Sequence, residues 1–289
     1  MIRYGYKRPD SLKETCQLLE EYNKQSRVIA GGTDLLVQLR GDDSKYIGLE
    51  YLIDISFLKE LDYILEDNDV IRIGALTTHD KISKSSLIHE EAYFLAEAVN
   101  TVGSPQIRHT GTIGGSVCNA SPAADPIPPL VALDAQVKLL STRGTRVVSL
   151  VSIFEKPYST NIAADEILVE ISFKKLPANS KTAFLKVGRR KALAIARINI
   201  AVCVTLDDEG KVSEVRISPG SVLPNPGRVT AAEEILLGNK PELDLIDEAG
   251  KKVSEEMLKR SGIRWSTEYK KPVIEALTKR CLKKALGVC

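Results

Sequence analysis

The most informative stretch of the sequence is residues 103–130, which is rich in glycine and proline. It includes four Gly and five Pro, and it follows neither the 3.6-residue period of a helix nor the alternation of a strand. A long stretch without regular structure is uncommon inside a compact domain, and where it is ordered it is usually functional. We therefore expect an ordered, functional loop here.

The surrounding sequence predicts two domains that each mix strands and helices. Apolar runs predict strands at 27–30, 51–55, 70–76, 135–141, 146–149, 167–173, 198–206 and 211–218. Helical spacing predicts helices that begin near Asp34 and that cover 91–102, 230–237, 243–259 and 272–286. The segment LPANSK at 176–181 is typical of a linker. We therefore expect an α+β chain whose two domains meet near residue 178.

Composition excludes several classes of protein. With 289 residues and a hydrophobic fraction of 43%, the chain can bury a substantial core and is not disordered. Its net charge of +2, from 40 basic and 38 acidic residues, argues against nucleic-acid binding. No apolar run approaches the roughly 18 residues that a membrane span needs. Residues 1–14 lack the apolar core of a signal peptide.

The cysteines and histidines predict no metal centre on this chain. The five Cys are scattered without a C-x-x-C motif, and the three His are far apart, so neither a zinc site nor an iron–sulfur site is expected. This cysteine usage is typical of a reducing compartment, and it predicts a cytoplasmic protein. The motifs G-x-S-x-G and G-x-x-x-x-G-K-[ST] are absent, which argues against a serine hydrolase and a P-loop NTPase.

Two glycine pairs are the strongest candidates for a ligand site. Gly31-Gly32 lies in the first glycine loop, residues 30–34, and Gly114-Gly115 lies in the second glycine loop, residues 112–116. Glycine lets the backbone approach a ligand closely, and N–H groups at a helix start bind phosphate. Each pair alone could be a tight turn. Together they favour a diphosphate held from both sides, although the Rossmann motif G-x-G-x-x-G is absent. These residues by themselves identify the ligand only as a compound that carries phosphate.

At these residues the chain resembles a known family. The segments AGGTDLL at 30–36, GSPQIRHTGTIGGSVCNASPAAD at 103–125, AFLKVGRRKALAIARINIAV at 183–202 and STEYKKPVIEALTKRCL at 266–282 resemble the medium, FAD-binding subunit of the molybdenum hydroxylases, the xanthine dehydrogenase and carbon monoxide dehydrogenase family. The resemblance implies an FAD-binding domain of the vanillyl-alcohol-oxidase (PCMH) type at 1–177, in two subdomains split near residue 57. An α+β domain like the C-terminal domain of the CO dehydrogenase flavoprotein would follow at 178–289.

The resemblance also implies the residues that bind FAD. These are Val28, Ile29, Ala30, Gly31, Gly32, Thr33, Asp34, Leu35, Val102, Gly103, Thr112, Ile113, Gly114, Gly115, Ser116, Asp125, Leu168 and Lys186. The two glycine loops would bind the diphosphate and the ribityl chain, Asp125 would accept hydrogen bonds from FAD hydroxyls, and Leu168 and Lys186 would line the isoalloxazine. The alternatives are a turn cap for Asp125, a core position for Leu168 and an outward strand position for Lys186. No catalytic residue and no metal ligand is implied on this chain.

Three departures from the family pattern refine this expectation. Ser116 stands where the family often has Asn, so one polar flavin contact would be shortened or bridged by water. The chain lacks the cysteine cluster of the members that reduce 4-hydroxybenzoyl-CoA, which argues against that branch. It also lacks an R-x-x-x-G-H segment for covalent attachment, so FAD would be held non-covalently.

The function implied by the resemblance is electron transfer within a heterotrimer. A large subunit would carry molybdopterin and hydroxylate the substrate, xanthine or a related N-heterocycle. A small subunit would carry two [2Fe–2S] clusters, and FAD on this chain would pass the electrons to NAD⁺ or another acceptor. Two alternatives stay open: a stand-alone flavin oxidoreductase on the same fold, and an assembly subunit without flavin.

Overall fold

Three main β-sheets with packed helices organise the chain. The computed structural model describes residues 4–41, 46–190 and 192–288. The first sheet is parallel, with strand order β1-β3-β2. Its part of the chain comprises β1 (Gly5–Lys7), α1 (Leu12–Tyr22), β2 (Ser26–Ile29), α2 (Leu35–Arg40) and β3 (Tyr51–Asp54). Because the strands are parallel, the first glycine loop leaves the carboxyl end of β2 beside Asp54, at one end of the sheet.

The second sheet is antiparallel and has five strands. Its order is β4-β5-β10-β6-β7. The strands are β4 (Ile64–Asp67), β5 (Val70–Gly74), β6 (Gln136–Ser141), β7 (Gly144–Ser149) and β10 (Ile167–Lys174), and a small hairpin adds β8 (Phe154–Lys156) and β9 (Ser159–Thr160). Buried side chains alternate along β6, where Val137 and Leu139 point into the largest apolar core. This alternation is typical of a sheet with one face covered.

Six short helices lie between β5 and β6 in the chain, and five of them bury apolar side chains in this core. They are α3 (His79–Lys84), α4 (Ser86–Glu91), α5 (Tyr93–Asn100), α6 (Pro105–Thr110), α7 (Ile113–Asn119) and α8 (Ile127–Ala132). The stretch 103–130, predicted to be a loop, therefore contains three of them. Each has six or seven residues, which is under two turns and too short to produce a visible period. Ser104 and Thr112 cap α6 and α7 by accepting backbone N–H hydrogen bonds.

The third sheet, one short helix and two long helices form the last part of the chain. The antiparallel order is β11-β12-β13. The elements are β11 (Ser180–Val187), β12 (Ile198–Leu206), β13 (Val212–Gly220), α9 (Thr230–Leu236), α10 (Leu243–Ser261) and α11 (Thr267–Leu286). Helix α11 begins five residues before the predicted start at Pro272. The prediction was wrong here because Pro is favoured in the first turn of a helix, whereas this helix includes it further in.

Strand β12 joins the last part of the chain to the rest because both of its faces are buried. Ile200 and Val202 pack with the helices of the last part, whereas Ala201 belongs to the core of the second sheet. Continuous burial of this kind explains why the strand reads as an unbroken apolar run. The mixed α+β class expected from the sequence is confirmed.

The predicted domain boundaries fall between elements. The boundary near residue 178 lies in the connection between β10 and β11, and the subdomain split near residue 57 lies between β3 and β4. Both boundaries stay predictions. Within the ranges given above, none of the helices is long and apolar enough to cross a bilayer.

Candidate cofactor site

The first glycine loop lies directly against residues 110–111, which immediately precede the second glycine loop. A Cβ added at Gly31 would overlap the carbonyl oxygen of Thr110, which leads into the second glycine loop. Gly32 has a φ of +67°, a conformation that suits glycine. A side chain at either position would therefore disturb the contact, and the paired glycines are explained by close backbone approach.

The first glycine loop offers free backbone donors. Within the described part of the chain, the N–H groups of residues 31–34 have no hydrogen-bond partner. Two of the carbonyls of these residues do have partners, since Leu36 N donates to Gly32 O at 3.1 Å and Gln38 N donates to Asp34 O at 3.0 Å. Free N–H groups beside a glycine pair form a concavity that suits an anion. Helix α2 has only six residues, so its dipole adds less than the sequence suggested.

The second glycine loop differs, because four of its five backbone N–H groups already donate to partners within the protein. Ile113 N donates to Thr77 O at 3.0 Å, Gly114 N to Ala75 O at 3.0 Å, and Ser116 N to Thr112 O at 3.1 Å. Gly115 N donates to Thr112 Oγ1 at 3.1 Å. Within the described residues only Thr112 N of this loop has no hydrogen-bond partner, so the loop offers fewer free backbone donors than the first glycine loop. That the second glycine loop binds the diphosphate stays a prediction.

Gly114 explains why this loop needs glycine at all. A Cβ there would lie 2.7 Å from Ala75 O, closer than carbon and oxygen tolerate. The glycine thus fits helix α7 tightly against the end of β5. Val102 and Gly103, which precede α6, are held in place because Arg108 Nη1 donates to both of their carbonyls, at 3.1 and 3.3 Å.

We call the region between the first glycine loop and helix α7 the cleft. Gln38 Nε2 donates to Asn119 Oδ1 at 3.1 Å, so α2 and α7 face each other. Asp34 and Cys118 have exposed side chains, yet surrounding protein raises the pKa of both groups, and that of Cys118 to about 12. Asp34 and Cys118 therefore lie at the edge of this region, exposed in part and otherwise surrounded by protein.

Asp125 and Lys186, 61 residues apart, form a buried ion pair at the edge of the last sheet. Lys186 Nζ lies 2.5 Å from Asp125 Oδ2 and 3.0 Å from Thr101 O, and Asn199 Nδ2 donates to Asp125 Oδ1 at 2.9 Å. Asp125 is 5% exposed, and burial raises its pKa although Lys186 opposes the shift. These contacts favour neither the turn cap for Asp125 nor the outward position for Lys186.

The remaining predicted residues divide between the cleft and the core. Val28 and Ile29 end β2 just before the first glycine loop, and Leu35 begins α2. Leu168 is 3% exposed and packs in the core of the second sheet, as its alternative interpretation expected. A separate cavity of about 270 Å³ lies near Asp134 and is lined by none of the predicted FAD residues.

Sequence reasoning missed two polar side chains at the site. His79 is 2% exposed, and its Nε2 lies 3.0 Å from Ser116 Oγ. Burial, and secondarily Arg108, lower its pKa to about 4, so the ring is neutral at pH 7. Asn199 lies within an apolar strand and contacts Asp125. Neither residue has a local motif, because its partner comes from a distant part of the chain.

The arrangement fits a flavin dinucleotide with a diphosphate. Residues 31–34 present free N–H donors, the glycines leave room for close approach, and the Asp125 carboxylate keeps lone pairs beyond those that Lys186 and Asn199 occupy. Bound FAD supplies redox chemistry, since it accepts and donates electrons. Among the residues in the described ranges, no group of three or more His, Cys, Asp or Glu could hold a metal ion.

Comparisons with known proteins agree with this geometry. Residues 2–175 match the FAD binding domain in molybdopterin dehydrogenase, and residues 183–285 match the CO dehydrogenase flavoprotein C-terminal domain. The nicotinate dehydrogenase FAD-subunit of Eubacterium barkeri is 33% identical over 276 residues, which cover 94% of this chain and 92% of that protein. The xanthine dehydrogenase FAD-binding subunit of Escherichia coli O157:H7 is 31% identical over 285 residues, which cover 98% and 96%.

The fold is shared with a solved member of the same group. Carbon monoxide dehydrogenase from Hydrogenophaga pseudoflava contains a chain that superposes with a TM-score of 0.92 at 28% identity, covering 100% of both chains. The two-domain architecture expected from the resemblance is therefore confirmed. The protein belongs to the FAD-binding medium subunits of the molybdenum hydroxylase family.

Proposed function

We propose that this chain binds one FAD non-covalently in the cleft and transfers electrons within a molybdenum hydroxylase complex. The observation that carries the proposal is the set of unpartnered N–H groups at residues 31–34, next to the glycine contact with Thr110. We assign the diphosphate to this loop, because oriented backbone donors bind phosphate oxygens well. The other residues implied by the resemblance would hold the remaining parts of the cofactor.

The role of the protein in this reaction is to bind, orient and shield the cofactor. Asp125 offers an acceptor for cofactor hydroxyls, and Lys186 places a positive charge that is only 12% exposed beside it. Leu168 would exclude water on the apolar side. No acid–base pair is required for electron transfer, which agrees with the lack of an obvious catalytic pair in the sequence.

We propose that the partners are a large molybdopterin-binding subunit and a small subunit with two [2Fe–2S] clusters. Electrons would reach the FAD from those clusters and leave to NAD⁺ or another acceptor. The named relatives act on nicotinate, xanthine and carbon monoxide, at 33%, 31% and 28% identity. Of these three relatives, the two with the higher identity to this chain act on N-heterocycles. We therefore propose that the complex hydroxylates xanthine or a related N-heterocycle.

We also propose a cytoplasmic location. The four cysteines that the structure describes, Cys16, Cys118, Cys203 and Cys281, are unpaired. Free thiols without disulfides are typical of a reducing compartment.

The test is an absorbance spectrum and a metal analysis of the protein isolated under mild conditions from its native host. We expect absorbance at about 450 nm from FAD, together with iron and molybdenum in one assembly. FAD alone in an active monomer would favour a stand-alone oxidoreductase, and a colourless assembly would favour a scaffold. Anaerobic addition of NADH then tests the acceptor, because bleaching of the flavin requires that NADH and FAD exchange electrons.

A further inference from the structure

We propose that His79 is a positioning residue that fixes the Ser116 hydroxyl as a hydrogen-bond donor to a phosphate oxygen of bound FAD. The inference rests on the proposed FAD site and adds to it a residue that no motif marks.

The first step concerns the donors of the second glycine loop. Its backbone N–H groups from Ile113 to Ser116 all have partners within the protein. Apart from Thr112 N, the loop can therefore donate to a ligand only through side chains. Thr112 is 6% exposed, and its Oγ1 accepts the hydrogen bond that caps α7. Ser116 is partly exposed, which leaves its hydroxyl as the available side-chain donor of this loop.

The second step concerns the position of the histidine. His79 N donates to Gly111 O at 3.0 Å, and Thr78 caps α3 by accepting from Lys81 N. The backbone of His79 is thus held on both sides. A Cβ at Gly111 would lie 3.3 Å from His79 Cδ2 and 3.4 Å from Thr33 Oγ1. Only the narrow glycine therefore separates His79 from the first glycine loop, where we place the diphosphate.

The third step concerns the proton on the imidazole. His79 Nδ1 is buried and has no hydrogen-bond partner within the described residues. A buried N–H without an acceptor is rarer than a buried lone pair without a donor, so the proton belongs on Nε2. Nε2–H then donates to Ser116 Oγ, which lies 3.0 Å away. Because the serine oxygen accepts this hydrogen bond, its own hydrogen must point elsewhere, and the cleft is the accessible direction.

The test compares variants of the full chain in FAD titrations followed by calorimetry. His79→Leu and Ser116→Ala should each weaken FAD binding about 10-fold, because the loss of one hydrogen bond to a charged group lowers affinity by about this factor. The double variant should also lose about 10-fold in FAD affinity, not about 100-fold, because both substitutions remove the same hydrogen bond to the phosphate. His79→Gln keeps an N–H donor and should restore most of the affinity. The matched control is His89→Leu, at an exposed histidine on α4, which should bind FAD as the wild type does.

The ³¹P spectrum of bound FAD locates the contact. One of its two phosphorus signals should shift in Ser116→Ala and in His79→Leu, and His79→Gln should return it. Independent losses that multiply in the double variant, or unchanged phosphorus signals, would overturn the proposal. A wild-type chain that binds no FAD would instead overturn the proposed function, so the two failures are distinguishable.

A measurement without a variant covers the case in which His79→Leu does not fold. The chain has three histidines, so ¹⁵N-labelled histidine gives three ring systems to assign. We expect His79 to carry its proton on Nε2 both without and with FAD. A proton on Nδ1 would mean that Ser116 donates to the imidazole, and the proposal would then be wrong.

Discussion

Lys186 Nζ lies 2.5 Å from Asp125 Oδ2, and this contact connects two separate parts of the chain. Asp125 precedes helix α8 beneath the second sheet, whereas Lys186 lies on β11 of the third sheet. The cofactor site is therefore also part of the contact between the two parts. A change at this pair should affect both the stability of the protein and its affinity for FAD.

We expect Lys186→Met to lower the free energy of unfolding of the flavin-free chain by about 3 kcal/mol. The variant leaves the Asp125 carboxylate, only 5% exposed, without its cationic partner, and an unpaired buried charge is costly. Urea unfolding measures the change. Lys181→Met, at an exposed position on the same strand, is the control and should change the value by less than about 0.5 kcal/mol. Equal effects of the two variants would contradict a stabilising role for the pair.

Gly31→Ala should abolish FAD binding and destabilise the chain by more than about 3 kcal/mol, since the new methyl group must displace the Thr110 backbone. Gly41→Ala is the matched control. Gly41 has a φ of −83°, and its nearest contact for a Cβ, Gln38 O, lies 3.4 Å away. Thermal unfolding and FAD titration of both variants give the comparison. Retention of tight FAD binding by Gly31→Ala would show that FAD binding does not need the close contact between Gly31 and Thr110.

How far could this site be predicted from sequence? The glycine pairs were found because the requirement for glycine is local: it depends on φ and on the absence of Cβ. The long strand β12 was found because it is buried on both faces and reads as one apolar run. Features of this kind depend on residues that are neighbours in the chain.

The features that sequence reasoning missed depend on contacts between distant residues. Two donors of the second glycine loop, Ile113 N and Gly114 N, bind the carbonyls of Thr77 and Ala75, just after another strand. His79 meets Ser116 across 37 residues. Deciding whether an N–H group is free requires the positions of both partners. The difference in free N–H groups between the two loops is therefore visible only in the folded chain.

The stability of the chain should fall as the pH decreases from 6.5 to 4, with His79 as one cause. Burial, and secondarily Arg108, lower the pKa of His79 from 6.5 to about 4. Between these values the unfolded chain binds a proton that the folded chain does not, so acid favours unfolding, by about 3 kcal/mol over this range. Below pH 4 both states are protonated and this contribution no longer changes.

The measurement compares wild type with His79→Gln in urea unfolding at several pH values between 4 and 7. Carboxylates such as Asp80, which lies next to His79 in the chain, titrate in both proteins, so their contribution cancels in the difference. We expect the unfolding free energy of the wild type minus that of His79→Gln to decrease steadily as the pH falls. A difference that is constant across this range would show that His79 is accessible enough to be protonated in the folded state.

Cys118 provides a test of where the cofactor lies. It is the exposed one among the four cysteines that the structure describes, and the surrounding protein raises its pKa to about 12. In a Cys289→Ser background, iodoacetamide should modify Cys118 slowly, with a rate that rises about tenfold per pH unit between 7 and 10, because only the thiolate reacts. Saturating FAD should slow this reaction at least about tenfold, since Cys118 lines the cleft that we assign to the cofactor. Mass spectrometry of the alkylated peptide measures both rates. The control is Cys118→Ser in the same background, in which any remaining alkylation must come from the buried thiols. Equal rates with and without bound FAD would place the cofactor away from helix α7.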